Sequence, residues 1–161
     1  MNWKKIRVLV SGADGFIGSH LAERLVRLGA ETKALVCYNA FGTRGWIESS
    51  ELKNEMEVVA ADIRDRDSLN RAMRKMDVVF HLAALIGIPY SYEAPESYIQ
   101  TNVLGTLNVL NAARSHHLKR LLVTSTSEVY GTAQRTPIDE KHPLQAQSPY
   151  SATKIAGDAL G

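Results

Sequence analysis

Short apolar runs alternate with amphipathic stretches along the chain. Strands are predicted where apolar residues follow one another without a helical period, at residues 6–10, 32–36, 57–60, 77–82 and 120–124. Helices are predicted where apolar residues recur every three or four positions, at residues 16–28, 68–76 and 95–115, and from Pro149 onwards. Strands that alternate with helices form parallel sheets covered on both faces, so the pattern predicts an α/β fold with a Rossmann-like, doubly wound parallel sheet.

Composition and charge narrow the class of protein. The 161 residues fit one domain, residues 1–161, and the 45% hydrophobic and 22% charged residues are ordinary for a globular protein. A net charge of +2 without a basic cluster argues against a nucleic-acid partner. The sequence has no signal-peptide pattern and no run of about 18 apolar residues, which argues against a membrane partner. A single cysteine, Cys37, cannot form an internal disulfide, so we expect a cytoplasmic protein.

A glycine-rich turn follows the first predicted strand. Its three glycines are Gly12, Gly15 and Gly18, and it leads directly into the first predicted helix. Such a turn allows a pyrophosphate to approach backbone N–H groups at a helix N-terminus. The candidate cofactor-binding residues of this turn are Gly12, Gly15, Phe16, Ile17 and Gly18. A structural strand-to-helix turn that binds no ligand is the alternative.

The end of the second predicted strand bears on the choice of cofactor. Dinucleotide-binding proteins usually place an acidic residue there, on the ribose 2′-hydroxyl. Residues 35–39 contain no Asp or Glu, and Arg44 is the nearest arginine, so the predicted cofactor is NAD or NADP, with NAD slightly preferred. Cys37 is interpreted as a small buried filler. Asp62, which precedes Ile63 just after the third strand, is a candidate partner of the adenine amino group, with a helix N-cap in that region as the alternative.

Small residues follow the fourth predicted strand. Leu82, Ala83 and Ala84 permit the close approach of a dinucleotide and are candidate cofactor contacts, as are Tyr150 and Lys154 further along the chain. His81 is interpreted as a hydrogen-bonded interior residue. No group of His, Cys and carboxylate residues has metal-ligand spacing, so no metal is predicted. Two long irregular stretches, residues 38–54 and 130–148, are expected to cover the adenosine end and the substrate end of the site respectively.

A tyrosine and a lysine four residues apart indicate the chemistry. On a helix, Tyr150 and Lys154 share one face, where the ammonium favours the phenolate and makes Tyr150 a candidate base for the proton of an alcohol. Thr126, Ser127 and Glu128 follow the fifth strand, at the edge of the sheet where ligands of open α/β folds bind. The candidate catalytic residues are therefore Thr126, Glu128, Tyr150 and Lys154, and the candidate substrate contacts are Thr126, Ser127 and Glu128. A Ser/Thr turn with structural hydrogen bonds alone is the alternative.

These residues make the chain similar to the extended short-chain dehydrogenase/reductase family that acts on nucleotide sugars. The resemblance spans all 161 residues and rests on the glycine turn, Asp62-Ile63, residues 81–84, residues 102–106, and Tyr150 with Lys154. In that family, 4,6-dehydratases carry a glutamate where Glu128 stands, whereas epimerases usually carry a small residue. Thr126-Ser127-Glu128 resembles the GDP-mannose enzymes. Residues 38–42 and 84–92 are most similar to UDP-N-acetylglucosamine 4,6-dehydratases of legionaminic-type sugar pathways.

The resemblance implies a nucleotide-sugar 4,6-dehydratase, which oxidises C4 of the sugar, eliminates water across C5 and C6, and restores its cofactor. In such an enzyme Thr126 orients the 4-hydroxyl of the sugar and Tyr150 accepts the proton of that hydroxyl. Lys154 holds the nicotinamide ribose, and Glu128 removes the C5 proton. The resemblance also implies a longer parent enzyme with a substrate lobe after Gly161, a homodimer, and a chain that is inactive by itself. A nucleotide-sugar epimerase and a non-catalytic dinucleotide-binding fragment are the alternatives.

Overall fold

Five parallel strands form the sheet of the computed structural model, which describes residues 2–161. The strands are β1 (Arg7–Ser11), β2 (Glu31–Val36), β3 (Glu57–Ala60), β4 (Val78–His81) and β5 (Arg120–Val123). The helices are α1 (Phe16–Arg27), α2 (Arg66–Met73), α3 (Ile88–Glu93), α4 (Pro95–Tyr98), α5 (Thr106–Ser115) and α6 (Pro149–Ala159). The strand order is β3-β2-β1-β4-β5, so the chain reverses direction across the sheet between β1 and β4. Ligands of open α/β sheets bind at this kind of reversal.

Alternate residues of β1 explain why helices cover both faces. Val8 and Val10 face the cluster that α1 covers, whereas Leu9 faces the cluster that α2 and α5 cover. All three side chains are fully buried. A strand buried on both faces appears as a continuous apolar run, which is the pattern that predicted it. The Rossmann-like, doubly wound parallel fold is therefore confirmed.

The predicted helix at 95–115 is not a uniform α-helix. A π-helical segment, Ile99–Gly105, lies between α4 and α5. Inside this wider turn the side chain of Asn102 is buried and reaches away from the helix to the loop after β4. Its Oδ1 accepts from the N–H of Leu85 at 2.8 Å, and its Nδ2 donates to the Leu85 carbonyl at 2.9 Å. The π segment therefore connects this helix to the carboxyl end of β4.

Other boundaries differ from the predicted ones for local reasons. α2 begins at Arg66 because the Asp65 carboxylate caps it, accepting from the N–H groups of Asp67 and Ser68. It ends at Met73, three residues before the predicted end, and Lys75 beyond it has a left-handed backbone with φ of 63°. The short helix α3 was not predicted. The strand boundaries agree with the predicted ones to within one residue.

The predicted irregular stretch at 38–54 is partly ordered. It contains the 3₁₀ helices Gly45–Ser49 and Lys53–Glu55, and Ile47 is fully buried in the core beside α1. The N–H of Trp46 donates to the carbonyl of Asp14 at 2.9 Å, so this loop holds the glycine turn from outside. None of the helices in residues 2–161 combines the length and the apolar character that crossing a bilayer requires.

Candidate functional site

A groove of about 920 Å³ lies at the carboxyl ends of the strands. Its lining includes every predicted site residue except Ser127, which is exposed beside it. The predicted residues in the lining are Gly12, Gly15, Phe16, Ile17, Gly18, Asp62, Ile63, Leu82, Ala83, Ala84, Thr126, Glu128, Tyr150 and Lys154. Residues that lie up to about 140 positions apart in sequence therefore share one cavity.

The glycine turn packs so closely against neighbouring backbone that a side chain would not fit at Gly12 or Gly18. Gly12 has φ of +71°, and a Cβ there would lie 2.8 Å from the backbone nitrogen of Ala83. A Cβ on Gly18 would collide with the carbonyl oxygen of Gly12. Gly15 is the N-cap of α1 and provides no side-chain cap, so the first N–H groups of this helix remain available to an anion. The turn thus has the shape and the donors that a pyrophosphate requires.

The adenosine end of the groove contains an ion pair and an exposed thiol. The carboxylate of Asp62 accepts from Arg64 Nη2 at 2.6 Å, and this hydrogen bond lowers the pKa of Asp62. The nearby helix cap is supplied by Asp65, so Asp62 does not have that role. The interpretation of Cys37 as a buried filler was wrong: β2 ends at Val36, and the Cys37 side chain is exposed in the groove.

His81 at the end of β4 is an interior residue, as the sequence indicated. Its exposed fraction is 3%, its Nδ1 lies 2.7 Å from Ser11 Oγ and its Nε2 lies 3.1 Å from Thr106 Oγ1. Burial away from water, with a smaller contribution from the charge of Lys154, lowers the pKa of His81 to about 4. Both ring nitrogens are therefore occupied, and the neutral imidazole connects β1, β4 and α5 beneath the groove.

Acid should destabilise this domain through His81. In the unfolded chain the imidazole has a pKa of about 6.5, so as the pH falls the unfolded chain binds this proton before the folded chain does. We expect His81 to remove about 3 kcal/mol from the free energy of unfolding between about pH 7.5 and pH 4. Urea titrations across this range should show a shallower pH dependence in His81→Gln than in wild type. The exposed His117→Gln variant is the control, and equal slopes for His81→Gln and wild type would contradict the prediction.

Tyr150 and Lys154 both face the groove from the first two turns of α6. This helix begins sharply because the Ser148 hydroxyl accepts from the N–H of Ser151. Tyr150 is 7% exposed, and its ring packs edge-on against buried Tyr98 at 6.4 Å. Lys154 Nζ donates to the carbonyl of Thr124 at 2.7 Å, and burial lowers the pKa of Lys154. The ammonium is thus held at the end of β5, on the same helical face as the phenol.

Thr126 and Glu128 lie opposite this helix, after β5. Thr126 is the N-cap of the 3₁₀ helix Ser127–Tyr130, and its Oγ1 accepts from the N–H of Glu128 at 3.3 Å. The Glu128 carboxylate lines the groove and has no hydrogen-bond or ion-pair partner in residues 2–161. Ser125, which was not predicted, donates to the carboxylate of Asp158 on α6. This bond joins the two elements that carry the candidate catalytic residues.

Sequence reasoning missed several residues of the groove. Asn102 was noted only within a family motif, yet it holds the Leu85 backbone and also donates to Thr153 Oγ1 on α6 at 3.1 Å. Asp14, Arg64 and Thr101 also line the groove. The sequence does contain a signal for these residues, because each is a polar or charged residue next to a recognised motif. No cluster of three or more metal-ligating side chains occurs among the described residues.

Known proteins match nearly the whole chain. The family model described as GDP-mannose 4,6 dehydratase matches residues 9–161. The chain is 38% identical over 155 residues to a UDP-glucose 4-epimerase of Mycolicibacterium smegmatis, covering 95% of this chain and 49% of that protein. It is 35% identical over 159 residues to a dTDP-glucose 4,6-dehydratase of Mycobacterium tuberculosis, covering 96% of this chain and 47% of that protein.

A solved structure shares the fold closely. The dTDP-glucose 4,6-dehydratase DesIV from Streptomyces venezuelae, solved with NAD bound, superposes with a TM-score of 0.87 at 32% sequence identity. The match covers 96% of this chain and 50% of that one. The chain therefore spans about half the length of the proteins it matches.

Proposed function

The chain belongs to the GDP-mannose 4,6-dehydratase family, whose members are NAD-dependent nucleotide-sugar dehydratases and epimerases, and we propose that it is the cofactor-binding part of a nucleotide-sugar 4,6-dehydratase. In this proposal the 161 residues are one Rossmann-like domain of a longer enzyme, and the remainder of that enzyme supplies a substrate lobe. By itself the chain would bind cofactor without turning over substrate.

The position of Glu128 is the observation that favours dehydration over epimerisation at C4. Its carboxylate lines the same groove as Tyr150 and Thr126, and it has no partner among residues 2–161. Once C4 of a hexose is a ketone, the C5 hydrogen becomes acidic, and elimination of the C6 hydroxyl requires a base that removes it. A carboxylate free to accept this proton is suited to that step. Inversion at C4 requires no base at C5.

The glycine turn suits a dinucleotide. Gly12 and Gly18 keep the turn free of side chains, because a Cβ at either would collide with backbone, and Gly15 leaves the first N–H groups of α1 uncapped for a pyrophosphate. In the proposed site the glycine turn and the first turn of α1 hold the pyrophosphate, Asp62 and Ile63 hold the adenine, and residues 82–84 lie along the cofactor. When bound, NAD supplies the oxidation of C4 and the matching reduction of C6.

The remaining side chains prepare the sugar for reaction. Thr126 orients the 4-hydroxyl toward Tyr150, whose phenolate accepts the hydroxyl proton. Lys154 stabilises that phenolate and holds the nicotinamide ribose from its anchor on the Thr124 carbonyl. Glu128 takes the C5 proton and, once protonated, returns it to the departing C6 hydroxyl, since Ser127 has no comparably acidic proton. The proton that Tyr150 took from the 4-hydroxyl balances the one that C5 regains when C6 is reduced. Ser127 remains a proposed substrate contact at the rim of the site.

A 4-epimerase is the second candidate. The chain is 38% identical to the UDP-glucose 4-epimerase of Mycolicibacterium smegmatis, slightly more than to the dehydratase of Mycobacterium tuberculosis. Tyr150, Lys154 and Thr126 would serve the oxidation of C4 in the same way. Glu128 would then have no proton to remove at C5.

The proposed substrate is UDP-N-acetylglucosamine, on the resemblance of residues 38–42 and 84–92. We also propose a cytoplasmic homodimer that pairs through the helical region from α4 to α5 and through α6. Ile99 and Leu104 are exposed apolar residues of this region. A sedimentation experiment on the enzyme that contains this chain would measure its oligomeric state.

Product mass distinguishes the two candidate reactions. The enzyme that contains this chain would be incubated with NAD and, separately, with UDP-N-acetylglucosamine, GDP-mannose and dTDP-glucose. A product lighter by one water supports the dehydratase and identifies its substrate. A product of unchanged mass whose sugar is inverted at C4 overturns the dehydratase in favour of the epimerase.

A further inference from the structure

The carboxyl end of β2 lacks the side chain that commonly contacts the adenosine ribose. No acidic residue occurs at positions 35–39, where such a group would accept from the 2′-hydroxyl. Asn39 is occupied by its own loop: its Nδ2 donates to the Thr43 carbonyl at 2.8 Å and its Oδ1 accepts from the Thr43 N–H at 3.2 Å. The ribose contact must therefore come from another element.

Asp14, inside the glycine turn, is available for that contact. It lines the groove and is half-buried, and its carboxylate has no hydrogen-bond or ion-pair partner in residues 2–161. Its backbone is fixed from behind, because its carbonyl accepts from the N–H of Trp46 and a Cβ on Gly45 would lie 2.9 Å from the Asp14 Cβ. The backbone of Asp14 is thus fixed at this end of the groove, and its carboxylate is left unpaired.

The other charges at this end of the groove cancel each other. Arg64 is paired with Asp62 through Nη2 at 2.6 Å and through Nε at 2.9 Å and 3.0 Å to its two oxygens. Its Nε and Nη2 are thereby engaged with the carboxylate. Among the charged residues that line this end of the groove, Asp14 is therefore the unpaired one; Arg44 of the neighbouring loop is exposed and lies outside the lining. Burial, and then the charges of Asp62 and Asp14, raise the pKa of the Cys37 thiol against the opposing charge of Arg64.

We infer that Asp14 determines the choice of dinucleotide, by accepting a hydrogen bond from the adenosine ribose and by excluding the 2′-phosphate of NADP. The inference rests on the proposed cofactor site and adds its specificity. A phosphate monoester carries nearly two negative charges at neutral pH, so the 2′-phosphate would meet a like charge at a place where the described groove lining offers no unpaired cation. Like charges brought together at a binding site weaken binding, so wild type should bind NAD more than tenfold tighter than NADP.

Calorimetric titration of the chain with NAD and with NADP tests this directly. Asp14→Asn keeps the size of the side chain and removes the charge. We expect its preference for NAD over NADP to fall by about tenfold, through weaker NAD binding and tighter NADP binding. Asp14→Glu keeps the charge and should keep the preference. Glu51→Gln is the matched control, since Glu51 is an exposed, unpaired carboxylate of the neighbouring loop.

The outcomes separate this inference from the proposed function. Binding of NAD with an unchanged preference in Asp14→Asn overturns the role of Asp14 and leaves the cofactor site intact. Loss of the preference in both Asp14→Asn and Glu51→Gln also overturns it, since net charge alone would explain the result. Failure of wild type to bind either dinucleotide overturns the proposed cofactor site together with the inference.

Discussion

Replacing Tyr150 by phenylalanine should lower the kcat of the enzyme that contains this chain by about 10³-fold. The substitution removes only the hydroxyl that would accept the proton of the sugar 4-hydroxyl. The ring would keep its edge-on contact with Tyr98, so the fold and the dissociation constant for NAD should stay near those of wild type. Steady-state rates measured by product mass, with NAD affinity measured by calorimetry, would check both halves of the prediction.

Tyr38→Phe is the control for this substitution. Tyr38 is 75% exposed, and its hydroxyl forms no hydrogen bond within residues 2–161. Its loss should leave kcat unchanged. A Tyr150→Phe enzyme that retains more than about one tenth of the wild-type rate would exclude Tyr150 as the proton acceptor.

Glu128→Gln should lower the rate of dehydration by about 10³-fold and leave the oxidation at C4 intact. The amide keeps the shape of the side chain and cannot accept the C5 proton. Oxidation at C4 depends on Tyr150 and Lys154, so the absorbance of reduced cofactor should still appear when enzyme and substrate are mixed. A stopped-flow measurement of this absorbance, together with product mass, separates the two steps.

Glu140→Gln provides the comparison for Glu128. Glu140 is an exposed, unpaired carboxylate of the 130–148 stretch and lies outside the groove lining. Its loss should change neither signal. Dehydration by the Glu128→Gln enzyme at the wild-type rate would exclude Glu128 as the base and would remove the observation that favours a dehydratase over a C4 epimerase.

The sheet and most of the groove could be predicted because their signals are local. A two-sided buried strand such as β1 appears directly as an apolar run, and the glycine turn appears as a spacing. The π segment could not be predicted, because the four-residue spacing of Ile99 and Val103 fits an α-helix and does not distinguish it from a π-helix. The bonds that cause Asn102 to leave that pattern are made with residues 17 and 51 positions away.

Two polar residues show where sequence pattern alone is insufficient. Cys37 directly follows an apolar strand, which suggested burial, but β2 ends at Val36 as predicted and the thiol beyond it is exposed in the groove. Asp14 is an ordinary turn residue by composition. Its distinctive property is the absence of a partner at a place where the neighbouring charges are paired, and only the folded arrangement shows this.

The contact between Trp46 and the glycine turn provides an optical reporter of the adenosine end. Trp46 packs edge-on against Phe16 at 5.2 Å, and Phe16 lines the groove. The other tryptophan, Trp3, lies against Phe80, and neither of these two lines the groove. A Trp3→Phe protein therefore carries one fluorophore beside the cleft, and its intrinsic emission can follow occupancy without any label.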